Sequence, residues 1–354
     1  MNNNYFEAKV DYTKKANWDW NIYSTLVGTE YVQSYEEGLD IEIYEPLFKA
    51  VRELPISEYK EKLGDIINEI VLNAKTREGY PYVEPSDYEG IQKELNKKIA
   101  FRKKKYPKSI KKNIKGAWYG RIAGCLLGKT VEGIRTDELI PLLQHSNNYP
   151  MHRYILSTDP TQEMIDNYKF KLAVRCYADK VSCMPADDDT NYMVLYQEVV
   201  NKFTRDFTPD DIADFWPKKQ PQNAYCTAER VAFNNFIKGY LPPMSAIYKN
   251  PFREWIGAQI RGDYFGYINP GDPKTAAEMA WRDASISHVK NGIYGEMFIA
   301  AMIAAAPVTK DMQVIIKAGL SQIPEKSRLY EAITKVVDAF NNGVTEEAFF
   351  ADLQ

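Results

Sequence analysis

Three aspartates stand in succession at Asp187, Asp188 and Asp189, followed by Thr190, directly before the apolar positions Met193, Val194, Tyr196 and Val200. Like charges this close repel, and burying them without partners is costly. Two things relieve the repulsion: the free N–H groups at the start of a helix, and a bound cation. Successive residues near a helix start point in different directions, so two of the three aspartates are expected to reach one ion. Thr190 adds a hydroxyl ligand or a hydrogen bond. Oxygen donors favour Mg²⁺, Mn²⁺ or Ca²⁺ over Zn²⁺. Taken alone, the run reads equally as the cap of a solvated helix.

A second group of polar residues follows. Arg261 and Asp263 lie between glycines in Arg261-Gly262-Asp263-Tyr264-Phe265-Gly266, and Trp281, Ser285 and His288 fall at helical spacing. Gly292 and Gly295 continue that face towards Ala300, Ala301, Ala304 and Ala305. His288 is the one of three histidines set among small residues, where a ligand or another helix can approach. A satisfied core histidine is the plain alternative. His145 and His152 read as surface or packing residues, and Asp263 and Asp272 also read as an arginine partner and a helix cap. Neither a Gly-x-Ser-x-Gly elbow nor a His-Glu-x-x-His zinc motif is present. Cys125, Cys176, Cys183 and Cys226 lack paired metal-ligand spacing and are expected to be reduced, mostly structural thiols.

The elements that must position these groups are mainly helices. Gly116, Gly120, Gly124 and Gly128 recur every fourth residue and share one face. Each weakens an isolated helix by roughly 1 kcal/mol relative to alanine, so a helix packed closely at the centre of a bundle is expected. Tyr59 to Ala74 has helical spacing, whereas Ile41 to Tyr44 reads as a short strand. Thr208-Pro209 and Asp272-Pro273 are helix starts, the second opening an alanine-rich pattern from Lys274 to Ala306. Further helical patterns run from Glu325 to Asn341 and from Thr345 to Leu353. Strand signals are few, and an all-α fold is expected.

The basic run Arg102 to Lys115 offers a nucleic-acid contact, but it is broken by Pro107, holds one aromatic, Tyr106, and reads better as a solvated linker. With a formal net charge of −3, the whole chain has no general attraction for polyanions or anionic membranes. Its start lacks the apolar core of a signal peptide and no stretch approaches the ~20 apolar residues of a membrane span, so a cytoplasmic location is expected. The 25 tyrosines are enough to line a sugar or base pocket, though filling a core and its margins is the plainer reading.

Four stretches together resemble the ADP-ribosylglycohydrolase family, which includes the dinitrogenase reductase-activating glycohydrolases and the ADP-ribosylhydrolases. They are Gly116 to Gly133, Asp187 to Leu195, Asn250 to Tyr267 and Pro270 to Ala306, in the expected order. The family's acidic motif, commonly Thr-Asp-Asp-Thr, is similar to Asp187-Asp188-Asp189-Thr190, with aspartate in the first place. Where relatives often read Thr-His, this chain has Ser287-His288, and where many have Gly-Asp it has Gly128-Lys129.

The resemblance implies an orthogonal all-helical bundle of residues 116–354 with a two-magnesium cluster in a central cleft, preceded by a mostly helical extension and basic linker, residues 1–115. It implies Asp188 and Asp189 as metal ligands, with Asp187 a third and Thr190 beside them, and Mg²⁺, or Mn²⁺ in its place, as the ion. Glu132 or Asp187 would handle protons; Lys129, Arg261, Asp263, Ser287 and His288 are candidate substrate contacts. The reaction implied is hydrolysis of the glycosidic bond of an ADP-ribosyl or related conjugate, borne on a protein or a small molecule. Relatives supply the other half of the cluster from a C-terminal Asp-x-Asp motif, whereas after Ala306 this chain has only the isolated Asp311, Asp338 and Asp352. Half a metal site is therefore expected, and a catalytically inactive scaffold with a binding or structural role is the alternative. The weaker alternative is a nucleic-acid contact through the basic linker.

Overall fold

The structure is a computed structural model that describes residues 22–99, 101–103 and 105–352. Its helices are α1 (Val27–Glu36), α2 (Glu45–Glu53), α3 (Glu58–Asn73), α4 (Tyr88–Lys93), α5 (Ile110–Lys129), α6 (Thr136–His145), α7 (Gln162–Asn167), α8 (Asp188–Phe203) and α9 (Pro209–Lys219). They continue with α10 (Thr227–Ile237), α11 (Met244–Ile247), α12 (Asp263–Ile268), α13 (Pro273–Ala284), α14 (Lys290–Ala305), α15 (Met312–Leu320), α16 (Arg328–Asn341) and α17 (Glu346–Asp352). Among the described residues there is no strand, so the fold is all-α. The Ile41–Tyr44 segment, expected as a strand, contains a 3₁₀ turn at Glu42–Tyr44 leading into α2. Its β-type residues have no neighbouring strand to pair with, and local backbone bonds prevail.

The chain forms two compact units, Tyr106–Leu195 and Met1–Lys105 with Tyr196–Gln354, the division at 195/196 falling inside α8. The larger is built around α14. Gly262 and Gly266 allow the segment before and within α12 to close on it, since a Cβ at Gly262 would lie 3.0 Å from the Glu296 carbonyl and one at Gly266 2.5 Å from Ile303. Ala300, Ala301, Ala304 and Ala305 of α14 are buried. By length and hydropathy Lys290–Val308 qualifies as a membrane span, contrary to the sequence expectation. Half of that stretch is buried within the protein, as in a core helix.

Of the first hundred residues, which read as a separate extension, the described stretch 22–99 is built into this larger unit. Tyr23, Val27, Phe48, Val51, Ile67 and Val71 form their own apolar cluster. Arg253, beyond them in the chain, reaches back with Nη1 2.6 Å from Glu30 and Nη2 2.7 Å from Glu37, all three side chains buried.

The helix starts follow their sequence signals. Thr208 and Asp211 form a reciprocal capping box ahead of Pro209, and Asp272 accepts from the Thr275 amide ahead of Pro273. The pattern from Lys274 to Ala306 breaks between α13 and α14, where Ser287 is drawn to Arg261 and Lys290 adopts a φ of 44°.

In the smaller unit, α5 runs twenty residues, none of them buried. A Cβ at Gly116, Gly120, Gly124 or Gly128 would meet nothing within 4 Å. The glycine helix is therefore not the packed centre expected of it. Four-residue spacing places glycines on one face but does not say what covers that face.

Candidate metal centre

The face of α5 next to the glycines carries Arg121, Cys125 and Lys129, again at four-residue spacing. All three turn to the start of α8. Lys129 Nζ donates to Asp187 Oδ2 at 2.6 Å, and Arg121 donates from Nε and Nη2 to the Asp189 carbonyl at 3.1 and 2.8 Å. The Cys125 sulfur and one carboxylate oxygen each of Asp187 and Asp189 lie within 4.8 Å of one another.

The start of α8 organises the acidic run as its sequence predicts. Asp187 precedes the first turn and accepts the Asp189 amide at Oδ1, 3.1 Å away. Asp188 accepts the same amide, and the Thr190 hydroxyl donates to the Asp187 carbonyl at 3.2 Å. Burial would lift the Asp187 carboxyl, but the Lys129 hydrogen bond and charge and the bond from the Cys125 thiol hold it below the ordinary aspartate range. Asp188 moves the other way: burial, then the charges of Asp187 and Asp189, raise it. Burial lowers Lys129, and its bond to Asp187 more than compensates. Cys125 is raised by burial and by the two aspartates, so its thiol keeps its proton.

These donors fit one divalent ion. Ligand bonds of about 2.0–2.3 Å place donors around a common ion within roughly 4.5 Å of each other, close to the observed spread. An ion here would compete with the Lys129 ammonium for the charge of Asp187. The sequence reading considered oxygen donors only, and the Cys125 sulfur lies in the same cluster. Arg121 and Cys125 were missed; their spacing from Lys129 was the available signal.

Of the other expected site residues, the Asp188 carboxylate is outside this cluster, and the Thr190 hydroxyl is turned to the Asp187 carbonyl. Glu132 is exposed in the turn after α5, outside it. Arg261, Asp263, Ser287 and His288 belong to the larger unit and are buried. Arg261 is wholly enclosed, donating to Asp283 at 2.6 Å and Glu229 at 3.1 Å, with Glu296 3.7 Å away. Held this way, its guanidinium has no surface for a diphosphate. Asp263 accepts from Tyr267 at 3.0 Å.

Ser287 Oγ accepts two N–H groups of Arg261, at 3.1 Å each, which leaves its own proton for His288 Nδ1 at 2.8 Å. Burial, then the Arg261 charge, keeps His288 neutral. Ser287 and His288 thus extend a buried ion-pair network.

Residues 107–353 match the ADP-ribosylglycohydrolase family, and the chain belongs to that family. Neither the curated proteins nor the solved structures gave a match.

Proposed function

We propose that the protein is a divalent-metal-dependent hydrolase that cleaves the bond between the anomeric carbon of an ADP-ribosyl or related ribosyl group and its protein or small-molecule aglycone. The observation that carries this reading is the convergence of Asp187 and Asp189 at the start of α8, in a chain of this family. Asp187 and Asp189 would hold Mg²⁺ or Mn²⁺, which supplies charge to polarise ribose hydroxyls and to orient water. Thr190 fixes the Asp187 backbone, and Arg121 fixes that of Asp189, so both carboxylates are held ready. Asp187 or Glu132 would accept a proton from the attacking water. Lys129 offers its ammonium to a diphosphate once freed from Asp187.

The Lys129–Asp187 bond also favours a second reading, a catalytically inactive scaffold in which the ammonium stands where a metal would. Hydrolysis of ADP-ribosylated arginine, ADP-ribosylated serine and small ADP-ribose conjugates, measured with Mg²⁺, Mn²⁺ or a chelator, separates the two. The hydrolase reading expects turnover that a chelator and Asp189→Asn each abolish. Absence of turnover on every conjugate in either metal, or turnover indifferent to both changes, overturns it.

A further inference from the structure

His288 is enclosed in the larger unit, yet only half of its imidazole is accounted for. Nδ1 takes the Ser287 proton, so the ring's own proton sits on Nε2, and that N–H is buried with no partner among the described residues. A buried donor left unmade is costly, and it calls for an acceptor. The same residue lines a cavity of about 480 Å³, a volume that suits a small molecule, enclosed by the starts of α4 and α9, by α11 and by the turn from α13 to α14. All of these belong to the larger unit. Trp281, Ile247, Ile293 and three prolines supply its apolar walls. Trp281 gives its N–H to the Ser86 carbonyl at 2.9 Å, so its indole offers the cavity ring surface alone. No lysine or arginine lines the space, whereas the carboxylates of Asp87 and Asp210, both exposed, do. A phosphate or carboxylate would meet like charge here; an ammonium would meet two carboxylates and an indole.

We propose that this cavity binds a small organic amine that carries an oxygen acceptor at the end remote from its ammonium. The ammonium lies at the rim beside Asp87 and Asp210, the apolar body packs against Trp281, Ile247 and Ile293, and the oxygen takes the Nε2–H of His288. Proline rings and helix ends hold the walls in place beforehand, so binding orders little of the protein. No covalent bond forms and no group of the metal centre takes part, so the inference is independent of the hydrolase reading.

The test is calorimetric titration of the full chain with three probes. Para-aminoethylbenzamide carries both the ammonium and a carbonyl, phenethylamine lacks the carbonyl, and para-carbamoylphenylpropionate has a carboxylate in place of the ammonium. The first is expected to bind at one site, the second at least about fivefold more weakly, and the third not at all. Asp87→Asn combined with Asp210→Asn should weaken the first about tenfold. With three histidines in the chain, the imidazole nitrogen spectrum of isotope-labelled protein reads His288 directly. A slowly exchanging Nε2–H resonance, missing in His288→Gln, is expected to move downfield as the benzamide probe is added. The two aspartates are exposed, so their variant decides the matter even if His288→Gln folds poorly. Equal affinity for the ammonium and carboxylate probes overturns the proposal, as does binding that leaves the His288 resonance unmoved, or no binding of the benzamide probe at millimolar concentration.

Discussion

Replacing Lys129 with methionine should tighten metal binding. Its ammonium lies 2.6 Å from Asp187 Oδ2, the two side chains being 21% and 10% exposed. A cation that takes Asp187 must first break this charge-assisted hydrogen bond, worth about 1.5–3 kcal/mol in general. Because part of the pair is in water, about 1–2 kcal/mol is the reasonable share, or roughly a fivefold to thirtyfold lower Kd for Lys129→Met. Calorimetric titration of wild type and variant with Mg²⁺ and Mn²⁺ measures it. Thermal melts add an internal check of sign. In chelator the variant should melt below wild type, because Asp187 has lost its partner; in saturating metal the variant should gain more, by the ratio of the two Kd values. Equal or weaker metal binding by Lys129→Met would show that no cation is held at Asp187.

Three further outcomes follow from the larger unit. Arg261→Met should destabilise by about 3–5 kcal/mol, since it strands Asp283 and Glu229 in the interior, lowering Tm by roughly 6–20 °C; adding Asp283→Asn and Glu229→Gln should restore part of the loss. Glu296 is raised by burial, then by Asp283, so the folded protein keeps a proton that the unfolded chain releases above about pH 4.3. Stability should therefore fall as pH rises from there toward the folded value, and denaturant melts of Glu296→Gln should lack that slope. His288 is lowered, so only the unfolded chain takes up its proton below about pH 6.5. Stability should fall with acid there, by at most about 1.4 kcal/mol per pH unit from this group, and His288→Gln should flatten the profile.

What could be read in advance was local. Thr208-Pro209 and Asp272-Pro273 carry their caps within a few residues, and the acidic run at Asp187 implies a helix start by its own chemistry. Alanine and glycine spacing identified small helix faces without saying which would be packed: the close approaches fall at Gly262 and Gly266, whereas Gly116 to Gly128 stay open. Cys125 escaped notice because its partners lie far along the chain. Arg261 read as a substrate contact because Glu229, Asp283 and Glu296, which enclose it, come from three different helices. Long-range charge pairing leaves no periodic trace in a single sequence.

Arg253 has a consequence for where this protein can be divided. It lies within the matched residues 107–353, yet both of its carboxylate partners, Glu30 and Glu37, precede them. A piece cut at the family boundary would keep the guanidinium and lose both counter-charges, at a cost of about 3–5 kcal/mol against a total stability of only about 5–15 kcal/mol. The interior is in this sense co-owned by the two stretches of chain. A lineage could not shed, exchange or reverse the charge of one stretch without a matching change in the other, and Glu30, Glu37 and Arg253 should vary together or not at all.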